Sequence, residues 1–198
     1  MRKKKLIYCL ENHAKGSAKE GFSEVSKGTH YKIFQQVLDS LDERLIHSSD
    51  IHGITHTERV CFLGLLLSER LKMSEADTKM FLTACAYHDI GRTCDGIDDG
   101  HGARSAGEVA KYTDLAGDEL LILKAAIEAH SLSDGKMLET IKKYSVRDEE
   151  RALLIAKALK DADGLDRVRL GDLDPHRLRF KESLGLIESA EELFWFYR

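Results

Sequence analysis

Along most of the chain the apolar positions recur at spacings of three and four rather than two, which is the period of one helix face and not of a strand. The pattern predicts helices near residues 31–47, 50–72, 75–90, 102–113, 117–131, 148–163 and 183–197, with shorter helical pieces near 135–143 and 165–180. A single proline, Pro175, leaves the longer runs unbroken, so the expected fold class is all-α. Ser74 followed by Asp77 forms an acidic variant of the capping box, and Asp148 is placed to start the 148–163 helix. Residues 11–30, "ENHAKGSAKEGFSEVSKGTH", are small, polar and aperiodic. They predict an N-terminal arm over 1–30, either loose or a small segment ordered against the core, ahead of one helical domain at 31–198. There is no internal repeat and no low-complexity tract.

Composition narrows the class further. With 198 residues and 42% apolar content the chain can bury the core of one domain. A formal net charge of −4 with 32% charged residues excludes both a bulk nucleic-acid binder and an acidic disordered chain. The four cysteines, Cys9, Cys61, Cys85 and Cys94, form no C-x-x-C pair and suit a reduced interior. The basic start "RKKK" at 2–5 precedes an apolar stretch of about five residues, short of the roughly 7 to 15 of a signal peptide. No later stretch approaches the roughly 20 apolar residues of a membrane span, so the expectation is a soluble, cytoplasmic protein.

Helical phase then isolates a set of polar residues on apolar faces. His56 shares its face with Val60, Leu63 and Leu67. His88 follows Cys85, Ala84 and Phe81, and His130 follows Ile127, Ala126, Leu123 and Ile122. Asp163 lies over Leu159, Ala156, Ile155 and Ala152. One such histidine is ordinarily a core residue bonded to backbone. Several of them together with a carboxylate, which needs an ion pair or a metal when buried, point to a divalent-metal site inside a helical bundle.

His56 in "HTERV", the pair His88-Asp89 in "YHDIGR" and Asp163 in "DADGLD" resemble the H…HD…D signature of the HD-domain superfamily of metal-dependent phosphohydrolases. The resemblance spans roughly residues 50 to 170 and implies an all-helical fold. It implies a first metal held by His56, His88, Asp89 and Asp163. A second metal, bridged by Asp89, would use His101 in "HGARSA" and His130 in "EAHS". The other reading makes His101 a solvated helix-start residue and His130 a core histidine. The cofactor is thus one or two divalent ions, with Mn, Fe, Zn, Mg, Ni and Co all compatible. The sequence lacks the GYP-type extension of cyclic-dinucleotide phosphodiesterases.

Such a ligand set lowers the pKa of water and neutralises a phosphoryl group during in-line attack. Asp89 is the residue to orient that water. Arg92, four residues after His88, and Arg104, three after His101, are candidates to fork onto phosphate oxygens. Lys160 and Arg167, flanking "DADGLD", are weaker ones. His52 stands one turn before His56, but "HGITH" lacks the glutamate of a zinc-protease H-E-x-x-H. It is a candidate phosphate donor or a structural residue. Asp161 competes with Asp163, yet its own face carries Lys157 and Leu154, making Asp163 the expected buried ligand. The aromatic tail "LFWFY" at 193–197 is expected to dock as a terminal helix. The leading expectation is a phosphohydrolase acting on a small, nucleotide-like phosphate. No membrane or nucleic-acid partner is expected, and the oligomeric state is open. The rival is a non-catalytic HD-type module that senses a nucleotide or a metal.

Overall fold

The computed structural model describes residues 3–198, and the start of the basic stretch at 2–5 lies outside the described residues. The helices in chain order are α1 (Lys3–Asn12), α2 (Gly16–Val25), α3 (Thr29–Ser40), α4 (Ile54–Arg70), α5 (Glu75–Tyr87), α6 (His101–Glu108), α7 (Gly117–His130), α8 (Asp134–Lys143), α9 (Glu149–Leu165), α10 (Lys181–Leu184) and α11 (Ile187–Phe196). Short 3-10 turns occupy Glu43–Leu45, Val109–Lys111, Asp166–Leu170 and Pro175–Arg177. Among the described residues there is no strand, and the fold class is all-α as the apolar period indicates.

The run from Val60 to Leu67 in α4 is apolar on every side, and a helix of that kind has to be surrounded. It is: α4 packs against α3, α5 and α9, with α2 and α11 closing its remaining flank. A second layer, α6, α7 and α8, packs on α9 and on the far side of α5. Ser74 Oγ accepts the Asp77 amide at 3.1 Å and starts α5. Asp148 Oδ1 accepts the Arg151 amide at 2.9 Å and starts α9. Among the described residues no helix is long and apolar enough to cross a membrane.

The N-terminal arm takes the ordered alternative. Residues 3–12 and 16–25 are helical, and Leu6, Leu10, Phe22 and Val25 are buried in the main core. The stabilising contact comes from the other end of the chain. Glu192 Oε2 in α11 accepts the Ala18 amide at 2.8 Å and the Ser17 hydroxyl at 3.3 Å, capping α2 where its own sequence offers no cap. Phe22 meets Tyr31 and Phe62 with ring centroids 5.8 and 6.4 Å apart.

Helix boundaries also shift for local reasons. The helix expected over 31–47 stops at Ser40, because the Asp42 carboxylate accepts the Arg44 amide and starts a separate turn. The helix expected from residue 50 begins at Ile54, because the Ser49 hydroxyl accepts the Ile51 and His52 amides and folds that stretch into a loop. The pieces expected over 165–180 are two 3-10 turns joined by a loop. Phe22→Ala is expected to lower the unfolding free energy by about 3 kcal/mol in urea titrations, the usual loss for a buried phenylalanine. A substitution in a loose arm would leave the midpoint unchanged.

Candidate metal centre

Four helix ends deliver four histidines to one point. His56 sits in the first turn of α4, His88 caps the C-terminus of α5, His101 opens α6 and His130 closes α7. The last two meet because α6 and α7 approach through glycine: a Cβ on Gly102 would lie 2.8 Å from the Ile127 carbonyl and 2.9 Å from that of Glu128. Gly91 serves the same end, since a Cβ there would meet the Ser105 amide at 2.5 Å and hold the loop after His88 away from α6.

Each imidazole spends its Nδ1 on a fixed acceptor. His88 Nδ1 donates to the Cys85 carbonyl at 2.8 Å, His130 Nδ1 to the Ile127 carbonyl at 2.5 Å, and His101 Nδ1 to the Asp98 carbonyl. His56 Nδ1 donates to Asp166 Oδ2 at 2.7 Å. A carbonyl or an ionised carboxylate only accepts, so Nδ1 carries a proton, and in the neutral ring Nε2 is left with a lone pair. The Nε2 atoms then face one another, His56 to His88 at 3.3 Å and His101 to His130 at 2.9 Å.

Two carboxylates complete the cluster. Asp163 Oδ1 lies 3.4 Å from His56 Nε2 and 3.9 Å from His88 Nε2. Asp89 spans both halves. Its Oδ2 lies 3.7 Å from His88 Nε2 and 3.8 Å from His56 Nε2, and its Oδ1 lies 3.1 Å from His101 Nε2 and 3.7 Å from His130 Nε2. Despite that proximity Oδ1 is buried with no hydrogen bond of acceptable geometry, because the nitrogens around it present lone pairs. Lone pairs against lone pairs and anions repel, and a divalent cation is the partner that satisfies them all. Three triads have ligand atoms mutually within 4.8 Å: His52, His56 and Asp89; His56, His88 and Asp163; and His88, Asp89 and His130. These residues fit a divalent ion, and the Nδ1 contacts are the outer bonds that orient imidazole ligands.

The electrostatics agree. Burial and the Arg169 charge push the His56 imidazole down to about 4, against the pull of Asp166 and Asp163, so it is neutral near pH 7. Burial also lowers His130, against the pull of Asp89. Burial opposes ionisation of Asp89 and Asp163, and positive charge at the surrounding imidazoles outweighs it, placing both carboxyls below their ordinary range; with those rings neutral, a cation at the Nε2 face would supply that charge.

The remaining expected residues separate. Arg92 is at the cluster, with Nε 3.2 Å from Asp89 Oδ2 and Nη2 3.3 Å from His101 Nε2. Arg104 is elsewhere: its Nε donates to the Gly91 carbonyl at 2.8 Å and its Nη2 to Asp98, so it braces the loop leading to His101. His52 Nδ1 lies 3.3 Å from Asp89 Oδ2 and 3.5 Å from Arg169 Nη2, at the rim. Of the competing aspartates, Asp163 faces the histidines, while Asp161 is the more deeply buried, 0% exposed against 32% for the Asp163 side chain. Asp161 is neutralised differently, accepting the Arg179 and Phe180 amides at 2.8 and 3.0 Å and the Ser183 hydroxyl at 2.7 Å.

Sequence reasoning missed Asp166 and its partners. Asp166 is fully buried and receives His56 Nδ1, Arg59 Nε at 2.6 Å and Arg59 Nη2 at 2.9 Å. The signal was there in His56-x-x-Arg59 and in the second half of "DADGLD", each pair three residues apart. A pocket of about 300 Å³ opens beside His130 and Asp163. A larger one, about 760 Å³, lies by Ser49, Arg169 and Phe194, but none of the six cluster residues lines it. The smaller pocket is therefore the one that belongs to the centre.

An all-helical bundle around a histidine-aspartate centre of this order is the architecture of an HD domain, and the family model for the HD domain matches residues 53–168. The chain belongs to the HD domain family. No curated protein and no solved structure matches it.

The metal-free protein is expected to be acid-labile before its carboxylates titrate. Unfolded histidine takes up a proton near pH 6.5, whereas folded His56 resists until about 4, so the unfolded state binds more protons in between and stability falls as pH falls. His56 alone accounts for about 3 kcal/mol by pH 4. Urea midpoints of chelator-treated protein at pH 7 and pH 4.5 measure it, and a midpoint that does not move contradicts the neutral, buried state of His56.

Proposed function

We propose that this chain is a metal-dependent phosphohydrolase that cleaves a phosphate ester or anhydride of a nucleotide-like small molecule. The observation that carries the reading is the acceptor-only cluster, four Nε2 lone pairs and two carboxylates, at the edge of a pocket with cationic walls. His56, His88, Asp89 and Asp163 would hold one divalent cation. Asp89, His101 and His130 would hold a second, with one Asp89 oxygen directed to each half. When bound, such ions activate water toward phosphorus and neutralise charge on the phosphoryl oxygens.

The chain's own groups supply orientation. Asp89, whose carboxyl lies below its ordinary range, accepts hydrogen bonds from the attacking water and sets its direction. Arg92 lies along the same edge and presents a planar fork to a phosphate oxygen, exchanging its contact with His101 for one with substrate. Asp166 holds the His56 ring in one tautomer, and Arg59 holds Asp166. Arg104 acts one step removed, through the loop it braces.

A screen of nucleoside phosphates, dinucleotides and phosphodiesters is expected to find hydrolysis that a chelator abolishes. Asp163→Ala removes a ligand carboxylate and is expected to lose more activity than the roughly 10 to 100-fold carried by an outer hydrogen-bond partner. Asp166→Asn, which touches His56 only through Nδ1, is expected to fall within that range. Hydrolysis that survives chelation, or Asp163→Ala turning over like the unaltered protein, contradicts the reading.

A further inference from the structure

The pocket beside Asp163 and His130 has a chemistry that the cluster does not use. Its walls carry four cations, Lys160, Arg167, Arg177 and Arg179, against two carboxylates, Asp163 and Asp174. Asp163 is already directed at the histidines, so the pocket is left with surplus positive charge.

The four cations are not equivalent. Lys160 is buried, bonded to the Leu132 carbonyl and 3.1 Å from Asp134. Arg179 is committed to Asp161 at 2.9 Å and Asp134 at 2.6 Å. Arg177 is 82% exposed, with one long contact of 3.6 Å to Asp174, and Arg167 pairs with Asp172 at the surface. Exposed pairs of that kind are held weakly, so both guanidinium groups can turn to an anion at little cost. The segment that carries them, two 3-10 turns joined by a loop, is nevertheless held at both ends. The buried Asp161 carboxylate ties down its far end through the Arg179 and Phe180 amides, and α9 fixes the near end.

We infer that this pocket seats a second, non-reacting phosphate of the substrate, held by Arg167 on the 3-10 turn after α9 and by Arg177 on a loop that Asp161 positions. Given the phosphohydrolase reading above, on which this assignment rests, the substrate class is one with two phosphates, such as a nucleoside diphosphate or a diphosphate-linked dinucleotide. Two observations favour this over a seat for the reacting group. Arg92, the cation that touches Asp89 and His101, does not line the pocket, so the pocket occupies a different wall of the centre. Its volume of about 300 Å³ is at the lower end for ligand pockets, room for a phosphate group with the nucleoside outside.

The test separates the seat from the chemistry. Chelator-stripped full-length protein is titrated with inorganic phosphate at low ionic strength by calorimetry. Arg167→Gln/Arg177→Gln is expected to weaken binding about tenfold or more, the value of a lost charge-assisted hydrogen bond. Arg147→Gln, an exposed arginine just before the start of α9, is the control and is expected to bind as the unaltered protein does. With metal restored, the double variant is expected to raise KM for adenosine 5′-diphosphate about tenfold and leave that for p-nitrophenyl phosphate unchanged. Phosphate affinity that is unaltered in the double variant, or weakened equally by Arg147→Gln, overturns the seat. Arginine-dependent phosphate binding without hydrolysis of any phosphate compound leaves the seat standing and overturns the phosphohydrolase reading instead.

Discussion

Everything at the centre depends on which nitrogen of each histidine carries the proton. Three backbone carbonyls and one buried carboxylate take the Nδ1–H groups, and this turns four Nε2 lone pairs toward the same small volume. Left alone, that arrangement is unfavourable: acceptors 2.9 to 3.3 Å apart, beside two carboxylates, repel. The fold holds it because the cost is met by packing elsewhere. Three of the helices bearing these residues, α4, α5 and α7, are among the most apolar in the chain, and the α4 run from Val60 to Leu67 is buried on every side. A bundle that stable can present a strained set of acceptors and keep it ready for a cation.

The second tier is ionic. Asp166 links the ring of His56 to Arg59 and, through Arg169, to the loop around His52. Arg59 also donates to the Tyr197 carbonyl at 3.0 Å, so the C-terminal helix is joined to the same network. Buried charges of this kind are tolerated when every one is paired, and removing one partner leaves the others uncompensated. Asp161 plays the corresponding part on the other side of α9, where it organises the loop between Gly171 and Phe180.

Much of this was legible in the sequence, for a physical reason. His56, His88, His130 and Asp163 lie inside or at the end of long helices, where phase alone says which way a side chain faces. The all-α class follows from the same period. What phase could not reach lies outside regular helix or depends on distant partners. Asp166 begins a 3-10 turn after α9, beyond the helical argument. Arg104 has the spacing of a site residue, but its partners are a loop carbonyl and Asp98, which no periodicity predicts. Helix α2 reads as a polar arm because its cap is Glu192, more than 170 residues away in sequence. Asp161 looked like the more exposed aspartate, since the amides that neutralise it arrive from a loop 18 and 19 residues later.

The central claim is that the cluster is built for a divalent cation at the Nε2 face, and anomalous diffraction tests it most directly. Crystals of the full chain grown with the metal that elemental analysis finds would be measured on both sides of its absorption edge. The account predicts a peak about 2.0 to 2.3 Å from His56 Nε2, His88 Nε2 and one oxygen each of Asp89 and Asp163. The contradicting result is no peak at saturating cation, with each Nε2 met by a water or another hydrogen-bond donor.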